Sequence, residues 1–137
     1  MAVAAKVGAD PPEDSVHRNE VVLTGRLSAP AEERILPSGD TLVTFRLVVT
    51  RPEHMRTRTR THGIDTIDCA AWRADIRRAV QRWQPGDVIE VIGSLRRRFW
   101  RGAMGPTSRT EVEAFKVKRL AKAPPALRRV DPLLDDD

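Results

Sequence analysis

Residues 41–51 (TLVTFRLVVTR) alternate between apolar and polar side chains, with Val43, Phe45, Leu47 and Val49 on one side and Thr44, Arg46 and Thr50 on the other. A period of two is the mark of a strand with one face on a core and one on water. The rest of the chain has to supply partners for that strand, and its middle portion holds several.

Residues 20–27 (EVVLTGRL) form a β-rich run whose internal Gly25 predicts a bend or bulge. Arg34, Ile35 and Leu36 lead into Pro37-Ser38-Gly39-Asp40, a strong turn signal. After a polar loop over 52–63, residues 64–72 (IDTIDCAAW) return as a strand. Ile67, Cys69 and Ala71 share one of its faces; Thr66, Asp68, Ala70 and Trp72 share the other. Ile76, Ala79, Val80 and Trp83 recur at helical spacing and predict a helix over 75–83, stopped by Pro85-Gly86-Asp87. Residues 88–98 read as a strand with Ile89, Val91 and Leu95 toward the core, 101–108 as a hairpin loop, and 109–120 as the last strand. Three strands, one helix and two strands suit an all-β, five-stranded OB-fold barrel with one helix between strands 3 and 4. The pattern alone fits a small α+β sheet as well.

Proline pairs bound this segment: Pro11-Pro12 on one side and Pro124-Pro125 on the other. The expected organisation is a disordered leader over 1–18, one domain over 19–120, and a short flexible, acidic-ended tail over 121–137. Against a chain total of +5, residues 1–19 carry −1 and residues 131–137 carry −4, which leaves +10 on residues 20–130. A basic body of this kind expects an anionic partner, with nucleic acid or a membrane surface as the leading options. With one cysteine, Cys69, no intrachain disulfide can form, and its place in an apolar strand pattern marks it as a small core residue. No apolar run approaches a membrane span, and the first residues lack the core of a secretory signal, so a cytoplasmic location is expected. His17, His54 and His62 do not have metal-ligand spacing, and no carboxylate pair, phosphate loop or nucleophile arrangement stands out. Neither an enzyme nor a cofactor is expected.

Several segments, in order, resemble the bacterial single-stranded DNA-binding protein family: VVLTGRL with the PSG turn, TFRLVVTR, DTIDCAAW, a helix ending WQPGD, VIEVIGSLRRRFW, and TEVEAFKV. Together they cover roughly 19–120. The resemblance implies an OB fold assembled as a homotetramer or a dimer. It also implies sequence-independent single-stranded DNA binding during replication, recombination or repair, close to the nucleoid, with neither metal nor nucleotide cofactor.

A general single-strand binder needs cations for phosphates and flat side chains for bases. Trp72 and Trp100 fall where the family places stacking aromatics; Trp72 could instead pack beneath the helix. Arg96, Arg98 and Trp100 alternate onto one strand face that is both cationic and aromatic, although a charged edge guarding against aggregation would look the same. Phe99 alternates with Leu95, which makes core or interface burial an alternative to base contact, and Trp83 lies on the apolar stripe of the helix. Arg46 and Arg26 could line the groove. His54 and the Arg56, Arg58 and Arg60 series sit in a loop the family uses for DNA. The family's tryptophans near His54 and Thr66 are missing here, which shifts the expected contacts from stacking toward arginine. Asp68 stands where the family often has a cation, which would weaken binding locally. The chain ends in Leu133, Leu134, Asp135, Asp136 and Asp137, with the apolar pair before the acids. In the family an acidic tip recruits replication and repair proteins, so this end is a candidate partner-binding tail. Two other binding functions fit: a primosome-type OB-fold accessory protein acting mainly through protein contacts, and an RNA-binding OB module.

Overall fold

The computed structural model describes residues 16–53 and 63–125. Its strands are β1 (Val21–Leu27), β2 (Glu32–Ile35), β3 (Thr41–Thr50), β4 (Ile64–Ala71), β5 (Val88–Gly102) and β6 (Gly105–Ala121); α1 (Ala74–Gln81) lies between β4 and β5. Neighbours in the sheet run β1-β5-β6-β4-β3-β2, and β1 also pairs with β3. That last pairing closes five strands into a barrel and leaves β2 as a flap on the outer edge of β3. β4 and β6 are the parallel pair, with Cys69 opposite Val112; the other pairings are antiparallel. This is the OB barrel expected from the order of elements.

Closure explains Gly25. β1 pairs with β5 from Val21 to Arg26 and with β3 at Arg26 and Leu27, so its end turns from one neighbour onto the other. A Cβ at Gly25 would lie 2.6 Å from the Val48 carbonyl oxygen, too close for any side chain. The alternation in β3 puts Val43, Phe45 and Leu47 inside, where they meet Leu27, Cys69, Ile89, Val91 and Val112. Ile76 and Val80 of α1 are buried with Trp83 beyond its end, so the helix plugs the barrel along the stripe the sequence marked.

Asp87 pins two other segments to this plug. Its buried carboxylate accepts from the backbone N–H of Gln84 at 2.9 Å and of Ala123 at 2.7 Å, with Arg119 at 3.5 Å. Burial alone would raise its pKa; the two amides and Arg119 outweigh that and hold it below the usual carboxylate value.

Three readings change. β2 was not expected, because all four residues of EERI are exposed and show no alternation. The hairpin loop expected over 101–108 is strand almost throughout: β5 runs to Gly102 and β6 begins at Gly105, with only Ala103 and Met104 between. Gly105, just past these two residues, has φ of 119°, a conformation that suits glycine. Leu95 was expected in the core and is 50% exposed. Its alternation with Val91 is real, but β1 accompanies β5 only as far as Gly93, so Leu95 has lost the neighbour on that side although Val112 across the ladder is still buried.

Candidate nucleic-acid interface

The protruding β5–β6 ribbon and the β2–β3 flap face each other across a groove. On the flap side it is lined by Arg34, Leu36, Pro37 and Thr44, and on the ribbon side by Arg98, Trp100, Arg109 and Glu111. Its volume is about 530 Å³. Arg34, Thr44, Arg109 and Glu111 also line a second hollow of about 180 Å³, bounded by residues 28–30, Arg46 and Asp68. The two hollows share a wall and make one path across the barrel, open along its length. A channel of this form suits an extended polymer better than a small molecule, which would be enclosed.

The arginines on and beside this path are held by carboxylates. Arg46 Nε donates to Asp68 Oδ1 at 2.8 Å, and Arg109 Nε stands 3.6 Å from Asp68 Oδ2. Arg98 Nη1 donates to Glu111 Oε2 at 3.2 Å, and Arg96 Nε to Glu113 Oε1 at 2.9 Å. Register creates the need for these pairs. Arg98 sits directly opposite Arg109 in the β5–β6 ladder, and two like charges in that position repel. Glu111 takes one of them and Asp68 the other. Glu111 is only 4% exposed, a burial a carboxylate tolerates because Arg98 covers it.

Trp100 is 48% exposed and lines the groove. Trp72 is half-buried just beyond β4, with the Arg98 guanidinium 5.5 Å above its ring, so one indole face is already covered. Phe99 is 71% exposed with Arg97 over its ring, and Trp83 is buried, as its place on the helix stripe implied. Arg98 and Arg46 line the path, each on a carboxylate, whereas Arg96, paired with Glu113, lies outside its lining. Arg26 donates to the Gly86 carbonyl at 2.7 Å and holds the turn after α1. His54, Arg56, Arg58 and Arg60 lie outside the described residues, as do Leu133, Leu134, Asp135, Asp136 and Asp137. At the base of that loop Arg51 and Asp65 form a two-pronged ion pair, and the Arg51 hydrogen bonds lower the Asp65 pKa. Cys69 is buried; desolvation first, then the nearby Asp68 and Glu111 charges, push its thiol up to about 12. It is a core residue with no nucleophilic character.

Sequence reasoning missed Arg34, Arg109 and Glu111. Arg34 required the unexpected strand β2. The other two required the register of β6 against β4 and β5, although the charge alternation in RTEVE was a signal that carboxylates and a cation share that strand.

The model of the single-strand binding protein family matches residues 18–120. The chain belongs to the single-strand binding protein family. A single-stranded DNA-binding protein of Oceanobacillus iheyensis is 32% identical over 74% of this chain and 63% of its own length. Single-stranded DNA-binding protein A of Bacillus subtilis is 33% identical over 74% of this chain and 59% of its own. The Deinococcus radiodurans protein is 29% identical over 76% of this chain and 35% of its own. This member thus spans from about a third to under two thirds of the curated relatives it matches. Among solved structures, the Plasmodium falciparum SSB complex with ssDNA is similar, with a TM-score of 0.59 and 24% identity over 74% of this chain and 92% of that one. This likeness is one of fold. No helix among the described residues of this family member is long and apolar enough to cross a membrane.

Proposed function

We propose that this protein binds single-stranded DNA without sequence preference, laying the strand along the groove between the β2–β3 flap and the β5–β6 ribbon. The observation that carries the reading is Trp100, a half-exposed indole set among arginines in an open channel on a barrel of this family. Stacking on an indole accepts any base, because every base has a π-face. Arg34, Arg46, Arg98 and Arg109 supply the cations for phosphates, and Trp72 braces Arg98 from below. His54, Arg56, Arg58 and Arg60, outside the described residues, are proposed as further DNA contacts. Coating of this kind serves replication, recombination or repair, and places the protein in the cytoplasm with the nucleoid.

Self-association belongs to the same proposal. Val22 on β1 and Phe115 and Leu120 on β6 are exposed apolar side chains outside the barrel, which supports a dimer or tetramer. Leu133, Leu134 and the three terminal aspartates are the proposed docking segment for replication and repair proteins.

Titration with oligothymidine at two salt concentrations tests the reading. Strong quenching of tryptophan fluorescence and an affinity that falls with salt are expected; weak, length-independent binding would refute it. One observation favours a second reading, an accessory protein acting mainly through protein contacts: the groove-lining arginines, Arg34, Arg46, Arg98 and Arg109, each already stand by a carboxylate. The same titration separates the two, and competition with an RNA of equal length separates both from an RNA-binding module.

A further inference from the structure

The ion pairs on and beside the groove floor differ in kind. Glu111 is buried beneath Arg98, and Glu113, outside the groove lining, holds Arg96 alone. Asp68 bridges two arginines on the strands that flank β4: one oxygen takes Arg46 from β3, the other faces Arg109 from β6. Its side chain is 32% exposed and lies on the wall of the groove. Two guanidinium groups converging on the two oxygens of one anion is also how arginines hold a phosphate.

We propose that Asp68 is a resident counter-anion occupying a phosphate position of the groove, and that an entering strand exchanges its own phosphate for Asp68 between Arg46 and Arg109. The proposal rests on the DNA-binding reading above. The exchange has three physical consequences. Arg46 and Arg109 are held pointing into the groove when it is empty. The displaced carboxylate stays beside the incoming phosphate and repels it, which lowers affinity. Arginines already neutralised by a fixed charge hold fewer counterions to release, so the salt dependence is shallower than the number of arginines implies. Asp68, more than any single arginine, then sets how tightly the strand is held.

The test compares the parent, Asp68→Asn, Arg109→Gln and the double variant, each titrated with oligothymidine across a range of salt. Asp68→Asn is expected to bind about tenfold tighter at low salt. Its log–log salt slope should steepen by about 0.7, the contribution of one further phosphate neutralised on a single strand. The double variant should lose the gain, and Asp68→Ser should reproduce it. Unchanged or weaker binding by Asp68→Asn, with its melting temperature intact, overturns the proposal. If the parent itself fails to bind oligothymidine, the groove reading falls, and inorganic pyrophosphate then decides the counter-anion separately. It should shift the Arg46 and Arg109 Nε–H resonances in Asp68→Asn and leave the parent's unmoved; no shift in the variant overturns the proposal.

Discussion

Two tryptophans that look equivalent in the sequence have different surroundings, and substituting each should have a different consequence. Trp100 presents an open indole to the groove. Loss of one stacked base costs about 1–3 kcal/mol, so Trp100→Ala should raise the Kd for oligothymidine about 5- to 150-fold. Trp72 has Arg98 over one face. Its removal forfeits a cation–π contact worth about 0.5–1 kcal/mol at an exposed site and releases Arg98 from one of its two supports. Trp72→Ala should therefore weaken binding by only about two- to fivefold. Intrinsic fluorescence reads both effects, because the chain has three tryptophans and the third, Trp83, is buried in the core. Trp83 should give an unquenched baseline, and Trp100 should carry most of the quenching on DNA addition. If Trp72→Ala loses as much affinity as Trp100→Ala, or if quenching persists in Trp100→Ala, the groove has been assigned to the wrong side of Arg98.

Asp87→Ala strands the buried backbone N–H of Ala123, at about 1–3 kcal/mol, and the part-buried N–H of Gln84, at less; about 3 kcal/mol of stability, and about 10 °C in melting temperature, should be lost. Because the folded-state pKa of Asp87 is depressed, its contribution is fully present above the unfolded value near 4 and is lost as pH falls through the lower folded value, so Asp87→Asn should flatten the acid limb of a pH–stability curve. Gly93→Ala places a Cβ 2.0 Å from the Glu113 carbonyl oxygen and should cost about 3 kcal/mol by forcing the β5–β6 bulge apart, read in a denaturant titration; near-neutral stability would contradict the close approach. The Cys69 thiol, pushed up to about 12 and buried, should resist a thiol reagent at pH 8 in the native protein and react once it is unfolded; fast native labelling would place it outside the core.

The barrel was legible where one side of a strand or helix meets the core. Val43, Phe45 and Leu47 could be assigned an interior because alternation has a single cause there, and Ile76, Val80 and Trp83 likewise. The same logic failed at Leu95, since a period of two persists in any extended strand and does not say where the barrel ends. It failed at β2 and at the tip of the ribbon for the opposite reason: strands with water on both faces, such as EERI or 105–110, are under no pressure to alternate, and their polar residues read as loop.

That failure bears directly on the proposed site. Part of the groove is built from strand segments that stand away from the core, β2 and the outer ribbon, and these carry the weakest periodic signal, whereas Thr44 and Arg46 line it from the clearly alternating β3. Trp100 was found through resemblance to a family and Arg98 through its alternation with Trp100, whereas Arg34, Arg109 and Glu111, which line the same groove, were not found. The bridging role of Asp68 was further out of reach. Residues 46, 68 and 109 are far apart in the chain and meet only through the β3–β4 register and the parallel contact of β4 with β6. Read singly, Asp68 is an acid in the wrong place for binding an anion; read with both neighbours, it is the group that keeps two arginines aimed where a phosphate would go.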